Sequence, residues 1–316
     1  MLIITTFLPP EKKRMATEAA FPTIQFEFYK DINQADASVL EAEVLLTYGE
    51  DLTEELIRRT TKLKWIMVVS AGLEKMPFKA CQEKGIIVTN ARGIHKIPMA
   101  EFTIGVMLQY VKQAQVLWHN NQIAEWQRRL PMAELHGQSV LIIGVGAIGG
   151  EIARLAKAFQ MITLGVNTSG KMVENVDSIF KIDQLEQALA LADFVVNILP
   201  STKETKHILK DSHFDAMKES AVFINIGRGD IVEEAVLLEA LQQKKFAHAY
   251  LDVFYNEPLD KQHPFWTMEN VSVTPHISSL TKKYLPRSFE IFFKNLHSYL
   301  NNEDKYINRV DLERGY

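Results

Sequence analysis

An apolar strand, a glycine-rich turn and a helix follow one another in the middle of the chain, and no other feature limits the fold as strongly. The apolar run from Val140 to Ile143 leads into glycines at 144, 146 and 149, spaced G-x-G-x-x-G. Apolar side chains then recur at helical intervals from Ile148 to Phe159. This succession is typical of a parallel sheet covered by helices.

Each glycine of the turn has its own physical role in such an arrangement. Gly144 permits the tight turn, Gly146 lets a pyrophosphate approach the backbone, and Gly149 lets helix and strand pack closely. Free N–H groups at the helix start, from Ala147 and Ile148, would face the anion. The turn therefore predicts a dinucleotide site, and an ordinary strand-to-helix turn is the alternative.

The rest of the chain alternates between short apolar runs and polar segments with helical spacing. Strands are predicted at residues 2–7, 24–29, 44–48, 65–69, 86–89, 140–143, 162–167, 194–199, 221–226, 247–253 and 271–274. Helices are predicted at residues 11–20, 52–61, 74–84, 99–115, 183–191, 211–217, 232–244 and 280–300. Such alternation indicates α/β layers.

The length of 316 residues exceeds the size at which one core usually keeps growing, so two domains are predicted. The boundary is expected at Pro98, which suits the first turn of a long helix, and the last helix should return the chain to the first domain. We expect an α/β fold of two Rossmann-like or flavodoxin-like lobes with parallel sheets and a cleft between them. One lobe comprises residues 1–97 and 281–316, and the lobe inserted in it comprises residues 98–280.

Composition argues against several other classes of protein. The chain is 47% apolar and 23% charged, as in globular proteins, and its net charge of −4 does not favour nucleic acid or an anionic membrane as partner. Cys81 is the only cysteine and no Cys/His group has zinc-ligand spacing, so no metal site is expected. We find no signal peptide and no apolar run of membrane-spanning length, and expect a cytoplasmic protein.

Polar side chains capable of catalysis follow three consecutive predicted strands. Arg228 follows one strand, Glu257 the next and His276 the last. Ligands of doubly wound sheets gather beyond the carboxyl ends of the strands. We therefore expect a guanidinium, a carboxylate and an imidazole to lie close together. A surface arginine, a turn glutamate and a capping histidine are the alternatives.

In the order of these segments the chain resembles the D-isomer-specific, NAD(P)-dependent 2-hydroxyacid dehydrogenase family. The likeness covers nearly the whole chain and rests on the glycine turn, Asn-Ile-Gly-Arg-Gly at 225–229, Asp-Val-Phe with Glu-Pro at 252–258, and Thr-Pro-His-Ile at 274–277. It implies an oxidoreductase that transfers a hydride between NAD(P)H and a 2-keto acid or D-2-hydroxy acid. It also implies that residues 98–280 bind the dinucleotide and that the other lobe binds the substrate.

The resemblance implies Arg228, Glu257 and His276 as the catalytic residues. Hydride addition to a carbonyl carbon leaves negative charge on oxygen, so a protonated His276 should donate a proton there and act as base in reverse. Glu257 should orient the imidazole and favour its charged form. Arg228 offers a planar fork to the substrate carboxylate and can polarise the carbonyl.

The resemblance also implies binding residues. Ser70, Ala71 and Gly72 correspond to a loop whose backbone binds the substrate carboxylate, and Tyr48 and Leu73 would line the side-chain pocket. A simple turn is the alternative at residues 70–73. On the cofactor side the implied residues are Pro200, Thr205, Ile226, Gly227, Asp252 and Ser279, with Asp252 at the nicotinamide carboxamide.

One segment departs from the pattern of NAD-specific relatives, which place a carboxylate at the end of the strand after the glycine helix. Here that position is occupied by Asn167, which is followed by Thr168, Ser169, Gly170 and Lys171. With no carboxylate to repel a 2′-phosphate, Asn167, Thr168, Ser169 and Lys171 could donate hydrogen bonds to one. We expect NADP to be favoured, while NAD remains possible.

Partners and rival functions follow from the same residues. Residues 118–130, rich in tryptophan and arginine, are predicted as the arm of a homodimer, with a surface loop as the alternative. A dinucleotide-sensing corepressor or binding protein on the same fold is the main rival to an enzyme. Another Rossmann oxidoreductase, such as an alanine dehydrogenase, fits the motif order less well.

Overall fold

The computed structural model describes residues 1–73 and 75–314, and the chain divides into two compact units. One unit comprises Met1–Ile94 and Thr281–Tyr316, and the other comprises His95–Leu280. The first boundary thus precedes the predicted one at Pro98. The reason is that the long helix begins at Lys96, so that Pro98 lies inside its first turn.

The first unit contains a five-stranded sheet with all neighbouring strands parallel, in the order β2-β1-β3-β4-β5, which is the flavodoxin-like order. Its strands are β1 (Leu2–Thr5), β2 (Gln25–Phe28), β3 (Val44–Thr47), β4 (Trp65–Val68) and β5 (Ile87–Asn90). The helices between them are α1 (Glu11–Ala20), α2 (Ile32–Glu41), α3 (Glu54–Arg59) and α4 (Phe78–Glu83).

Helices cover both faces of this sheet, which explains why its central strands read as continuous apolar runs. Every residue of β3 and β4 is buried. Ile4 and Leu45 belong to the core on one face, and Ile3 and Leu46 to the core on the other. The fold of this unit follows from burial on two sides.

Two helices of this unit differ from the prediction. Helix α2 has no predicted counterpart, and its start is marked by Asp31, whose side chain accepts a hydrogen bond from the Gln34 N–H at 3.1 Å. The helix predicted at 74–84 is α4, which begins only after Pro77, while its predicted first residue, Glu74, lies outside the described residues.

The second unit contains a seven-stranded parallel sheet. Its strands are β6 (Ser139–Ile143), β7 (Ile162–Val166), β8 (Ser178–Phe180), β9 (Phe194–Asn197), β10 (Val222–Asn225), β11 (His248–Leu251) and β12 (Val271–Val273). Its α-helices are α5 (Lys96–Val111), α6 (Ala114–Gln122), α7 (Ala147–Ala158), α8 (Leu185–Leu189), α9 (Asp211–Asp215) and α10 (Glu234–Gln242). Strand β8, which has three residues at the sheet edge, was not predicted.

The strand order β12-β11-β10-β9-β6-β7-β8 is doubly wound. The chain moves outward from β6 through β7 to β8, then returns to β9 on the other side of β6 and continues outward. The order reverses between β6 and β9, where ligands of such sheets gather beyond the carboxyl ends of the strands. The predicted fold class, two lobes with parallel sheets, is confirmed.

The last helix, α11 (Tyr284–Leu300), belongs to the first unit. Its buried residues include Phe289 and Phe292, and the Phe292 ring stacks on Trp65 of β4 at a centroid distance of 5.6 Å. It starts later than residue 280, where the prediction placed it. Among the described residues, no helix combines the length and apolar character needed to cross a bilayer.

Candidate active site

The glycine turn after β6 has the geometry that its spacing predicts. Gly144 has φ +102°, in the region that favours glycine, and its N–H donates to the Val166 carbonyl at 3.0 Å. A Cβ on Gly149 would lie 2.8 Å from the Gly144 carbonyl oxygen, so helix and turn pack closely there. At Gly146, which precedes α7, a Cβ would meet nothing within 4 Å.

This arrangement fits a dinucleotide. Gly146 and Ala147 are exposed at the start of α7, and Ile148 is partly buried in the core. The first N–H groups of a helix lack intrahelical acceptors and carry partial positive charge. The backbone at Gly146 is therefore open to a phosphate, while Gly149 serves packing.

One amide side chain closes the loop after β7. The Asn167 Oδ1 accepts hydrogen bonds from the Gly170 N–H at 2.6 Å and the Ser169 hydroxyl at 3.2 Å, and its Nδ2 donates to the Lys171 carbonyl at 2.9 Å. Thr168, Ser169 and Lys171 are exposed. The loop therefore presents hydroxyl groups and an ammonium group beyond the end of β7.

A second loop, after β9, is closed by a threonine. The Thr205 hydroxyl donates to the Pro200 carbonyl at 2.6 Å and accepts from the Thr202 N–H at 2.8 Å. The hydroxyl of Thr205 is thus engaged within the loop. The backbone and the exposed face of Pro200 remain at the surface.

Arg228 follows β10 after Ile226 and Gly227. Ile226 is buried, and a Cβ on Gly227 would lie 2.7 Å from the Leu199 carbonyl oxygen, so this segment lies flat against the loop after β9. The Arg228 Nη1 donates to the Gly227 carbonyl at 2.8 Å. The segment therefore delivers a guanidinium next to the end of β9.

His276 and Glu257 form a pair. The His276 Nδ1 lies 2.8 Å from Glu257 Oε2, and the other carboxylate oxygen accepts from the Phe254 N–H at 3.0 Å. An ionised carboxylate only accepts, so Nδ1 carries the hydrogen of this contact and Nε2 is the nitrogen left for chemistry. Both side chains are partly exposed, 43% for His276 and 36% for Glu257.

The backbone of His276 is held in an uncommon conformation by Asp252. His276 has φ +53°, and its N–H donates to the Asp252 carbonyl at 2.8 Å. The buried Asp252 carboxylate accepts from the Thr274 hydroxyl at 2.6 Å and from the N–H groups of Ile277 and Ser278, both at 2.9 Å. Asp252 therefore organises the whole turn that carries the imidazole, while its contact to a nicotinamide carboxamide stays a prediction.

A cavity of about 500 Å³ brings the three predicted catalytic side chains together. Arg228, Glu257 and His276 all line it, and Lys206 and Tyr255 line it as well. The last two were not predicted. Tyr255 lies between Asp252 and Glu257 in the segment after β11, so the rule that ligands gather at strand ends could have identified it.

His95, which the sequence did not single out either, immediately precedes α5. Burial lowers its pKa, and the positive charge of Arg228 lowers it further. Both effects favour the neutral form of the imidazole.

The predicted substrate loop belongs to the first unit. The Ser70 hydroxyl lies 3.2 Å from the carbonyl oxygens of both Tyr48 and Gly72, which joins the segments after β3 and β4. Ala71 is partly buried and its carbonyl accepts from the Asn90 amide at 3.1 Å. The Tyr48 side chain is 40% exposed, whereas Leu73 is packed in the core of the unit.

No group of three His, Cys, Asp or Glu side chains within residues 1–73 and 75–314 is arranged to hold a metal ion.

The last predicted cofactor residue, Ser279, follows the turn that carries the His276 imidazole and is partly buried.

A family model matches the part of the chain that carries most of these residues. Residues 104–278 match the model described as "D-isomer specific 2-hydroxyacid dehydrogenase, NAD binding domain". The matched residues include the glycine turn, Arg228, Glu257 and His276.

Similar proteins extend the likeness to most of the chain. D-3-phosphoglycerate dehydrogenase of Methanocaldococcus jannaschii is 32% identical over 288 residues, which are 90% of this chain but only 54% of that protein. The structure of a D-isomer specific 2-hydroxyacid dehydrogenase family protein from Aeromonas salmonicida superposes with a TM-score of 0.86 at 30% identity, over 98% of each chain.

A further structural neighbour was solved with a bound dinucleotide. The NADPH-dependent glyoxylate/hydroxypyruvate reductase of Sinorhizobium meliloti, solved with NADP and sulfate, has a TM-score of 0.81 at 25% identity. The superposition covers all of this chain and 99% of that one.

Proposed function

The chain belongs to the D-isomer specific 2-hydroxyacid dehydrogenase family, and on that basis we propose that it transfers a hydride between NAD(P)H and a 2-keto acid or D-2-hydroxy acid. The 2.8 Å contact between His276 Nδ1 and Glu257 Oε2, at a cavity also lined by Arg228, is the observation that carries the proposal. A corepressor would not need this pair beside a guanidinium.

In this proposal His276 donates the proton in the reductive direction and accepts it in the oxidative direction. A reduced nicotinamide bound at this site would supply the hydride. His276 Nε2 would then donate its proton to the carbonyl oxygen that gains charge. Glu257 keeps the ring oriented through Nδ1 and stabilises its positive charge. In the oxidative direction the neutral imidazole takes the hydroxyl proton.

The substrate carboxylate is bound by Arg228, whose planar guanidinium offers two parallel donors. In this proposal Ser70, Ala71, Gly72, Tyr48 and Leu73 remain the predicted substrate-binding residues of the first unit. The first unit then serves as substrate domain and residues 98–280 as dinucleotide-binding domain.

In this proposal Gly144–Gly149 would hold the pyrophosphate of the cofactor, and the loops at Pro200–Thr205 and Ile226–Gly227 would contact the rest of it. The open backbone at Gly146 supports this assignment. Asp252 and Ser279 would contact the nicotinamide end of the cofactor. The loop at Asn167–Lys171 receives the adenosine ribose.

NADP is the preferred cofactor in this proposal. The exposed hydroxyls of Thr168 and Ser169 and the Lys171 ammonium can bind a 2′-phosphate, and no carboxylate at 167–171 repels it. We expect a higher kcat/KM with NADPH than with NADH, and Asn167→Asp should shift the ratio toward NADH because it adds a negative charge there. A wild-type ratio that favours NADH about tenfold would contradict the preference.

The activity is tested with glyoxylate, pyruvate, hydroxypyruvate and branched 2-keto acids, each with both reduced cofactors. We expect at least one to be reduced, and His276→Gln to lower kcat by about 100-fold or more through loss of the acid. NADPH affinity, measured by fluorescence titration, should stay near that of the wild type. Wild-type protein inactive on the whole panel, or turnover by His276→Gln within a few-fold, would contradict the proposal.

A further inference from the structure

We propose that Asn225, supported by Asn197, is a positioning residue for Arg228. The inference rests on the proposed function, in which Arg228 binds the substrate carboxylate. Neither asparagine was among the residues predicted from the sequence. Both close neighbouring parallel strands, β9 and β10, at the edge where the order of the sheet places ligands, and they lie opposite each other in register.

The two amides form a buried chain of hydrogen bonds. Both asparagines are buried: Asn197 is 0% exposed and Asn225 is 1% exposed. Asn197 Nδ2 donates to Asn225 Oδ1 at 2.9 Å, and Asn197 Oδ1 accepts from the Leu199 N–H at 3.4 Å. Because buried amide groups need partners, this chain fixes the rotamers of both side chains.

The Asn225 amide holds the backbone on both sides of the guanidinium-bearing residue. Its Oδ1 accepts from the Gly227 N–H at 3.2 Å, and its Nδ2 donates to the Arg228 carbonyl at 3.1 Å. The Arg228 side chain in turn donates from Nη1 to the Gly227 carbonyl at 2.8 Å. The Asn225 amide thus binds the peptide groups on either side of the one whose carbonyl accepts from the guanidinium, and in this way supports its direction.

The role needs an amide rather than a carboxylate. Asn225 uses its oxygen as an acceptor and its nitrogen as a donor at the same time. An aspartate of the same shape has no donor, so it would set a carboxylate oxygen against the Arg228 carbonyl oxygen. Asn225→Asp therefore changes one hydrogen bond and a charge while preserving size.

The same segment leaves little freedom for compensation. A Cβ on Gly227 would lie 2.7 Å from the Leu199 carbonyl oxygen and 2.9 Å from Asn197 Nδ2. The segment that carries Arg228 therefore packs closely against the Asn197 amide. A change in the Asn225 amide should shift the guanidinium, because the loop has little room to adjust.

The test compares pyruvate with methyl pyruvate, since the ester lacks the charge that Arg228 would bind. In Asn225→Asp and Asn225→Ala we expect kcat/KM for pyruvate to fall roughly tenfold or more, with a much smaller fall for the ester, so that the acid-to-ester ratio collapses. In an Arg228→Ala background the same substitutions should leave the ratio unchanged, because the group they position is absent.

Asn270→Asp is the matched control. Asn270 donates from Nδ2 to the Leu241 carbonyl at 3.0 Å, and its own carbonyl accepts from Ala249 at the start of β11, so it lies at the opposite end of the same sheet. This variant should retain the wild-type acid-to-ester ratio. Should Asn225→Asp fail to fold, Asn225→Ala removes the amide without adding a charge.

A readout independent of turnover separates this proposal from the proposed function. Oxalate, a small dicarboxylate probe, is titrated by calorimetry into the NADPH-loaded full chain. Asn225→Ala should weaken oxalate binding, and Arg228→Ala should abolish the further effect of Asn225→Ala. If wild-type protein reduces no keto acid but shows this coupling, the proposed function fails and the positioning role stands. Equal losses for acid and ester, or additive losses with Arg228→Ala, would overturn the positioning role.

Discussion

At His276 an uncommon backbone conformation and a carboxylate contact occur in one residue. Few residues other than glycine adopt φ near +53°, and those that do often lie at functional sites because the surrounding structure has to hold them. Here the holding group is Asp252, through its carbonyl and its carboxylate. The backbone that carries the imidazole is thereby held by a residue that is itself buried.

A second histidine should make the stability of the protein depend on pH. His248 starts β11, is 8% exposed, and has its Nε2 2.9 Å from the Ser272 hydroxyl. Burial lowers its pKa to about 4. An unfolded histidine has a pKa near 6.5, so between about pH 6.5 and 4 the unfolded chain binds a proton that the folded chain does not bind. The free energy of unfolding therefore falls as the pH drops through this range.

The test is urea denaturation at pH 7 and pH 5. The wild type should lose about 2 kcal/mol more of its unfolding free energy than His248→Gln over this interval, because the variant lacks the titrating group. His136, which is exposed, gives the control: His136→Gln should keep the wild-type pH dependence. Parallel pH profiles for wild type and His248→Gln would refute the explanation.

The turn between β6 and α7 combines two glycines with different duties. Gly146 has an allowed backbone of φ −102° and open space around a hypothetical Cβ, whereas a Cβ on Gly149 would clash with the Gly144 carbonyl. The first glycine is thus available to a ligand and the second to the fold. Substitution by alanine adds one methyl group at each position and so tests ligand binding and packing separately.

Gly146→Ala should therefore fold with a melting temperature near that of the wild type but bind NADPH about tenfold or more weakly, because the methyl group obstructs the phosphate. Gly149→Ala should lower the melting temperature by several degrees, since a backbone contact has to shift. Thermal unfolding and fluorescence titration of both variants measure these effects. NADPH affinity unaffected by Gly146→Ala would show that the phosphate binds elsewhere.

In the whole molecule, the segment after α5 leaves large aromatic side chains in solvent. Trp118 on α6 is 68% exposed and Trp126 in the segment after α6 is 90% exposed. Tryptophan and arginine are enriched in interfaces, and this segment also contains Arg128 and Arg129. We propose that a second copy of the chain covers it in a homodimer.

Light scattering should then give twice the 36.0 kDa mass of the chain. Trp118→Ser combined with Trp126→Ser should shift the protein to the monomer at micromolar concentration, because the aromatic area that drives association is lost. Trp266→Ser alters a tryptophan 49% exposed elsewhere on the second unit and should leave the mass unchanged. A wild type that is monomeric at all concentrations would contradict the dimer.

Features that depend on neighbours along the chain could be predicted from the amino-acid sequence. Helix α1 occupies Glu11–Ala20 as predicted, and the glycine turn joins β6 to α7 where its spacing placed it. These elements are encoded by local periodicity and by glycine, whose effects extend over a few residues. The same holds for the family resemblance, which rests on short segments in a fixed order.

Features that depend on contacts between distant residues could not. The helix predicted at 99–115 is interrupted because Gln113 adopts φ +53°, a conformation that its residue type does not signal. The partners of the Asp252 carboxylate lie more than twenty residues away, and the Asn225 amide that accepts from Asn197 lies on the next strand. The sequence therefore named Asp252 and Glu257 but did not show that Asp252 holds the His276 turn, and it did not single out the amides beside Arg228. Only the order of strands in the folded sheet brings these side chains within hydrogen-bonding distance.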